Sequence, residues 1–143
     1  MIPGVHLREF SYPEDYAAVY QLWKEAGTGI HVGFSDTFEE IGKKLRRDPD
    51  LFLLACAGER IIASVMGGFD GRRGMVYHLA VDQGYRGRGI GSVLMDELEA
   101  RLRAKGCRKY YLLVTEDNLD VISFYEKRGW ERMAILPYGK VLG

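Results

Sequence analysis

The sequence has no excess of either charge: 20 lysines and arginines stand against 20 aspartates and glutamates. That balance argues against a polyanion such as nucleic acid as the main partner and leaves any charge recognition to local groups. Long apolar runs are missing as well. The longest, Leu51 to Ala57, is far too short to cross a bilayer, so no membrane partner is expected. The opening MIPGVHLREF lacks the basic start and apolar centre of a leader, and a cytoplasmic protein is expected. Cysteine is scarce. Cys56 lies in an apolar, strand-like run and Cys107 follows a helix, at no spacing that suggests a metal, so both read as reduced structural thiols and no metal is expected. No repeat, low-complexity tract or linker divides the chain. With 143 residues, 47% of them hydrophobic, a single domain over 1–143 is enough.

What the sequence does have is a concentration of glycine at one strand-to-helix junction. VDQGYRGRGIGSVL, residues 81–94, sets Gly84, Gly87, Gly89 and Gly91 between two apolar segments. Ordering glycine costs conformational entropy, so a bare stretch of backbone implies that something must come close to it.

The surrounding pattern places that stretch between a strand and a helix. HLREF (6–10) alternates like a strand. Ser11-Tyr12-Pro13-Glu14 has the form of a capping box with proline in the first turn, and the helix after it puts Tyr16, Val19, Tyr20 and Trp23 on one face before stopping at Gly27. GTGIHVGFS reads as a loop. Asp36 and Glu39 open a second helix that ends at Pro49. LFLLACA (51–57) and IIASVMGGF (61–69) form a hairpin, and MVYHLAV (75–81) is a third strand leading into the glycines. Ile90, Leu94, Leu98 and Leu102 then repeat at helical spacing up to Gly106. KYYLLVT (109–115) is a strand, 118–128 a short helix, and WERMAIL with YGKVL one or two last strands.

A strand, a glycine turn and a helix start together form an anion site, because free backbone N–H groups converge there and the helix dipole favours negative charge. Three ligands compete for it. A P-loop needs lysine followed by Ser or Thr at the helix start, where this chain has Ile90-Gly91-Ser92. A dinucleotide site is closer, with Gly87-x-Gly89 after a strand and Glu116 near the end of the next, but the third glycine falls on Ser92 and too little chain follows for a second half. The third is coenzyme A.

Arg86-Gly87-Arg88-Gly89-Ile90-Gly91 resembles the Arg/Gln-x-x-Gly-x-Gly/Ala pyrophosphate loop of the GNAT (GCN5-related N-acetyltransferase) superfamily, and Tyr85 and HLAV before it are similar too. A second stretch, Asn118 to Trp130, resembles the family's Asn-x-x-Ala-x-x-Phe-Tyr-x-x-x-Gly-Phe, with Val121 and Trp130 as departures. Asn118 and Tyr125 lie seven residues apart, about two turns, hence on one helix face. VMGGFDGRRG, TEDN and the terminal GK resemble a bacterial subgroup, the YpeA-like acetyltransferases.

The resemblance implies an α/β (α+β) fold: a single mixed, mostly antiparallel twisted sheet of six to seven strands with four helices. It implies an acetyl-CoA-dependent N-acetyltransferase that moves an acetyl group directly to a primary amine in a ternary complex. The cofactor site it implies comprises the strand backbone at Leu79, Ala80 and Val81, the loop and helix start at Arg86, Gly87, Arg88, Gly89, Ile90, Gly91 and Ser92, and Asn118 and Tyr125. Tyr125 is the implied acid for the leaving thiolate, and a backbone N–H at the end of the 75–81 strand the oxyanion donor.

The base is open. Where family members carry a glutamate this chain has Met75 or Leu113, which leaves His78, Glu116, Asp117, His31 or a water chain. Acceptor sites in the family are built from the first helix pair, its loop and the last strands, here with Tyr12, Tyr16, Phe34 and Tyr138, and the acceptor could be a small amine or a protein amine. The missing glutamates keep a second function in view, a CoA-binding sensor without efficient turnover. Edge strands in such folds often pair, so a homodimer is also an expectation.

Overall fold

The structure, a computed structural model, describes residues 2–27, 30–115 and 118–143. Five strands form one sheet in the order β1-β2-β3-β4-β5: Val5–Glu9, Phe52–Ala57, Arg60–Phe69, Gly74–Val81 and Tyr110–Leu112. The first three pairings are antiparallel and the last, β4 with β5, is parallel. Four α-helices accompany them among the described residues: α1 (Tyr16–Glu25), α2 (Phe38–Arg47), α3 (Ile90–Ala104) and α4 (Leu119–Lys127).

The hairpin at the centre explains the layering. Side chains alternate across a strand, so the apolar run at 51–57 feeds two cores at once. Leu51, Leu53 and Ala55 pack with Leu94, Met95, Leu98 and Leu102 of α3 on one face. On the other, Phe52, Leu54 and Cys56 pack with Val19, Leu22 and Trp23 of α1 and Ile41 and Leu45 of α2. β4 is therefore sandwiched between a helix pair and α3, and it runs into the glycine loop from the middle of the molecule.

Three expectations need correction. The first helix begins at Tyr16, after the expected capping box. Ser11 Oγ donates to Glu14 at 2.9 Å, while the Asp15 carboxylate takes the Ser11 N–H at 2.7 Å and both guanidinium nitrogens of Arg8, so this segment is tied to β1 before the helix starts. Asp36 does not open α2. Thr37 caps it, accepting the Glu40 N–H at 3.3 Å, and Asp36 is buried in a 3₁₀ turn at Phe34–Asp36. Finally, the sheet has five strands, not six or seven, and the described residues 130–143 contain none. A strand needs a ladder to join, and β5 offers one over only three residues. Thr28 and Gly29 of the expected loop, and the base candidates Glu116 and Asp117, lie outside the described residues.

α4 is fixed to the rest by charge and aromatic packing. Arg128, just after its end, pairs with Asp96 at 2.8 Å and Glu99 at 3.4 Å, and the same Glu99 accepts the Tyr110 hydroxyl of β5. The Trp130 ring lies between Tyr110 (4.4 Å) and Tyr125 (5.5 Å), measured centroid to centroid.

Candidate active site

β4 and β5 pair only at Gly74, Met75 and Val76, opposite Tyr110, Tyr111 and Leu112. Beyond Val76 the β5 side of β4 has no strand partner among the described residues, and a notch opens along Tyr77–Val81. Ladder groups left open in this way are a template for any extended chain that presents donors and acceptors. Leu79 and Val81 are half-buried along this stretch, and Ala80 is buried.

The notch leads into the glycine loop. Gly87 and Gly89 take left-handed backbone, φ +77° and +83°, and a Cβ at either would meet nothing within 4 Å. The space in front of them is open, and only glycine reaches that conformation without strain. Gly89 caps α3 with no side-chain bond to its first-turn N–H groups, so the donors at Ile90, Gly91 and Ser92 have no side-chain cap. At Gly91 a Cβ would stand 3.5 Å from Phe124 and 3.8 Å from Leu79, so here the missing side chain lets α4 come close to β4 and α3.

The two loop arginines are engaged within the protein. Arg86 donates to the carbonyls of Ala26 at 2.5 Å and Val81 at 3.2 Å, tying the loop to the end of α1. Arg88 lies over the Tyr85 ring, 5.1 Å from its centroid.

Asn118 caps α4 without a side-chain bond to the helix and is half-buried. Tyr125, two turns on, is only 8% exposed and packs in the α3 core. Burial pushes its phenol up to about 12, against a smaller opposing pull from the Arg128 charge.

On the face of the sheet that carries α1 and α2, β4 borders a cleft of about 880 Å³ between the α1–α2 connection, α2 and the β3–β4 turn. His78 and Asp36 meet there, Nε2 to Oδ1 at 2.8 Å, with the imidazole 4.8 Å from the Trp23 ring. Burial alone would raise the Asp36 carboxyl. The hydrogen bonds from His78 and the Gly33 N–H outweigh it and hold the carboxyl below its ordinary value. His31, Phe34 and Met75 also line the cleft. Tyr16 reaches its edge, its hydroxyl donating to the Asp36 carbonyl at 2.6 Å. Tyr12 stacks on Phe38, and Tyr138 is 93% exposed on the C-terminal segment, so the expected aromatic acceptor residues do not all converge. Asp36 was missed as a site residue: its partner is 42 positions away, and no spacing in the sequence links them.

The profile of the acetyltransferase (GNAT) family matches residues 16–130. The chain belongs to that family. Curated relatives agree over nearly full length: the chain is 43% identical to an acetyltransferase of Pectobacterium atrosepticum over 129 residues, 90% of each chain, and 41% identical to one of Sodalis glossinidius over 139 residues, 96% of each. Among solved structures, Ard1 from Thermoplasma volcanium is 28% identical with a TM-score of 0.81, covering 94% of this chain and 87% of that one. A PaiA N-acetyltransferase of Thermoplasma acidophilum, solved with coenzyme A, shares the GNAT fold at 23% identity and a TM-score of 0.72, covering 87% of each chain. As a GNAT protein the chain is an N-acetyltransferase, and its five-stranded mixed sheet with four helices is that fold with fewer strands than the sequence predicts.

Proposed function

We propose that the protein transfers the acetyl group of acetyl-CoA directly to a primary amine, binding the donor along the β4 notch and the glycine loop and the acceptor in the cleft on the adjoining α1–α2 face of the sheet. The observation that carries this is the continuity of the notch beyond Val76 with two left-handed glycines and an uncapped helix start. An extended amide-bearing arm needs strand partners, which the backbone of Leu79, Ala80 and Val81 supplies, and a pyrophosphate needs converging N–H groups, which Gly87 to Ser92 supply. Arg88 and Asn118 flank this path. Arg86 serves it indirectly, by fixing the loop to α1.

Tyr125 is the hydrogen-bond donor to the departing sulfur. With its phenol near 12 and a free thiol near 8.5, outright loss of the proton is uphill, so Tyr125 stays protonated at neutral pH and acts by donating a hydrogen bond as the C–S bond breaks. The oxyanion donor is a backbone N–H near the end of β4.

No helix among the described residues is long and apolar enough to cross a membrane. Our reading is of a cytoplasmic enzyme whose acceptor is an amine of a small molecule or a protein, and edge-strand pairing would make it a homodimer. The test is thiol release from acetyl-CoA in the presence of amines, polyamines and peptides, after calorimetric titration with acetyl-CoA, NADH and ATP. Binding of acetyl-CoA alone, with thiol released by one acceptor class, is the expected result. Binding with no release by any acceptor would support a CoA sensor instead.

A further inference from the structure

Among the described non-glycine residues, His78 is the one with left-handed backbone, φ +47°. It stands where β4 carries an extra residue against β3: Ser64 faces Ala80 and Met66 faces Tyr77, with one residue between on β3 and two on β4. A side chain held in that conformation is strained, and the surroundings must hold it there. The result is a direction. The imidazole is turned onto Trp23 and Asp36 at the cleft, with 19% of its side chain exposed.

The carboxylate it meets is fixed from several sides. Asp36 has 8% of its side chain exposed, its second oxygen takes the Gly33 N–H at 3.0 Å, and its main-chain carbonyl takes the Tyr16 hydroxyl. An ionised carboxylate only accepts hydrogen bonds, so Nε2 of His78 carries a proton, and in the neutral ring the lone pair lies on Nδ1. Among the described residues the ring has no second hydrogen bond. Met75 lines the same cleft without a titratable group.

From this geometry we propose that His78, oriented by Asp36, is the base that takes the proton from the acceptor ammonium. The proposal rests on the acetyltransferase reading. Nδ1 gains one proton from R–NH₃⁺, and the freed pair on nitrogen forms the C–N bond to the acetyl carbon. The C–S bond breaks and its pair leaves on sulfur. Of the two protons the nitrogen gives up, one passes through the imidazole to solvent and the other is matched by the proton that sulfur gains. His78 is a catalytic residue in this scheme and Asp36 a positioning residue.

The first test is the tautomer, read in the intact protein by long-range proton–nitrogen correlation NMR. A ring proton on Nε2 is expected, and one on Nδ1 overturns the proposal whatever the acceptor. The second is thiol release from acetyl-CoA with putrescine, L-lysine and hydroxylamine. H78Q should lose about a hundredfold in kcat with the two alkylamines. It should lose far less with hydroxylamine, which is already neutral in the assay, and should keep its acetyl-CoA affinity. D36N should lose about tenfold in kcat with KM for acetyl-CoA unchanged, and His78 should no longer hold one tautomer. H78Q turning over alkylamines as fast as the wild type overturns the assignment. Failure of the wild type to bind acetyl-CoA would instead refute the acetyltransferase reading.

Discussion

Leu98 of α3 reaches so far into the sheet that its Cδ1 lies 2.5 Å from where a Cβ would stand on Gly67 of β3. Leu98 is fully buried, so turning it aside would press on the packed core, and the pair sets how closely α3, and with it the glycine loop at its start, approaches β3 and β4. Adding the Cβ in G67A should cost about 1–3 kcal/mol of overpacking. L98A should cost about 2–5 kcal/mol through the cavity it leaves. Urea unfolding of the two variants checks both figures, and a G67A protein as stable as the wild type would mean that α3 can shift at little cost.

Asp15 joins β1 to α1 and makes the fold acid-sensitive. The Arg8 hydrogen bonds hold its carboxyl low; burial pulls the other way, and the Ser11 N–H and the Arg8 charge add to the lowering. The carboxyl's folded value is thus below its unfolded one, near 3.9. Its stabilisation is complete above that value and is lost as pH falls below it towards the folded value. Asp36 acts in the same sense. D15N should remove about 1–2 kcal/mol at neutral pH, since Arg8 is partly solvent-screened, and should flatten the loss of stability on acidification. Melting temperatures from pH 7 down to about 3 would show it, and parallel curves for both proteins would contradict it.

Removing one oxygen tests the acid. Y125F should bind acetyl-CoA nearly as the wild type does, because the ring stays in its packing against Phe124 and Trp130, while turnover drops tenfold or more. Calorimetry and steady-state kinetics on the same preparation separate the two effects. Unchanged turnover would remove Tyr125 from the mechanism.

The hydroxyl also has a signature at high pH. A phenol raised by burial favours folding fully below its unfolded value, near 10, and that contribution is lost as pH rises towards about 12. Y125F should therefore lose less stability than the wild type over that interval, as read from urea midpoints.

Much of this was legible in the sequence, for local reasons. The run at 51–57 named a strand buried on both faces, and the leucine spacing from Ile90 to Leu102 named the core face of α3. The glycines of the loop marked the positions that turn left-handed, Gly87 and Gly89. What was not legible depends on distant partners. The start of α1 depends on Arg8 holding Asp15, and Asp36 reads as a helix opener because its partner, His78, lies 42 positions away in the chain. The bulge that aims His78 has no glycine or proline to announce it. KYYLLVT has strand composition throughout, yet only Tyr110–Leu112 pairs with β4, and it is this shortfall that leaves the notch.

The most direct measurement is calorimetric titration of the wild type and G89V with acetyl-CoA. At Gly89 the backbone is left-handed and a Cβ would project into the open space of the loop, where nothing in the protein obstructs it. A valine there is strained in the φ it must keep and stands where the pyrophosphate would approach the α3 amides. The account predicts saturable binding to the wild type and a loss of a hundredfold or more in a G89V protein whose circular dichroism shows it folded. Equal affinity for both proteins, or no binding to the wild type, would contradict it.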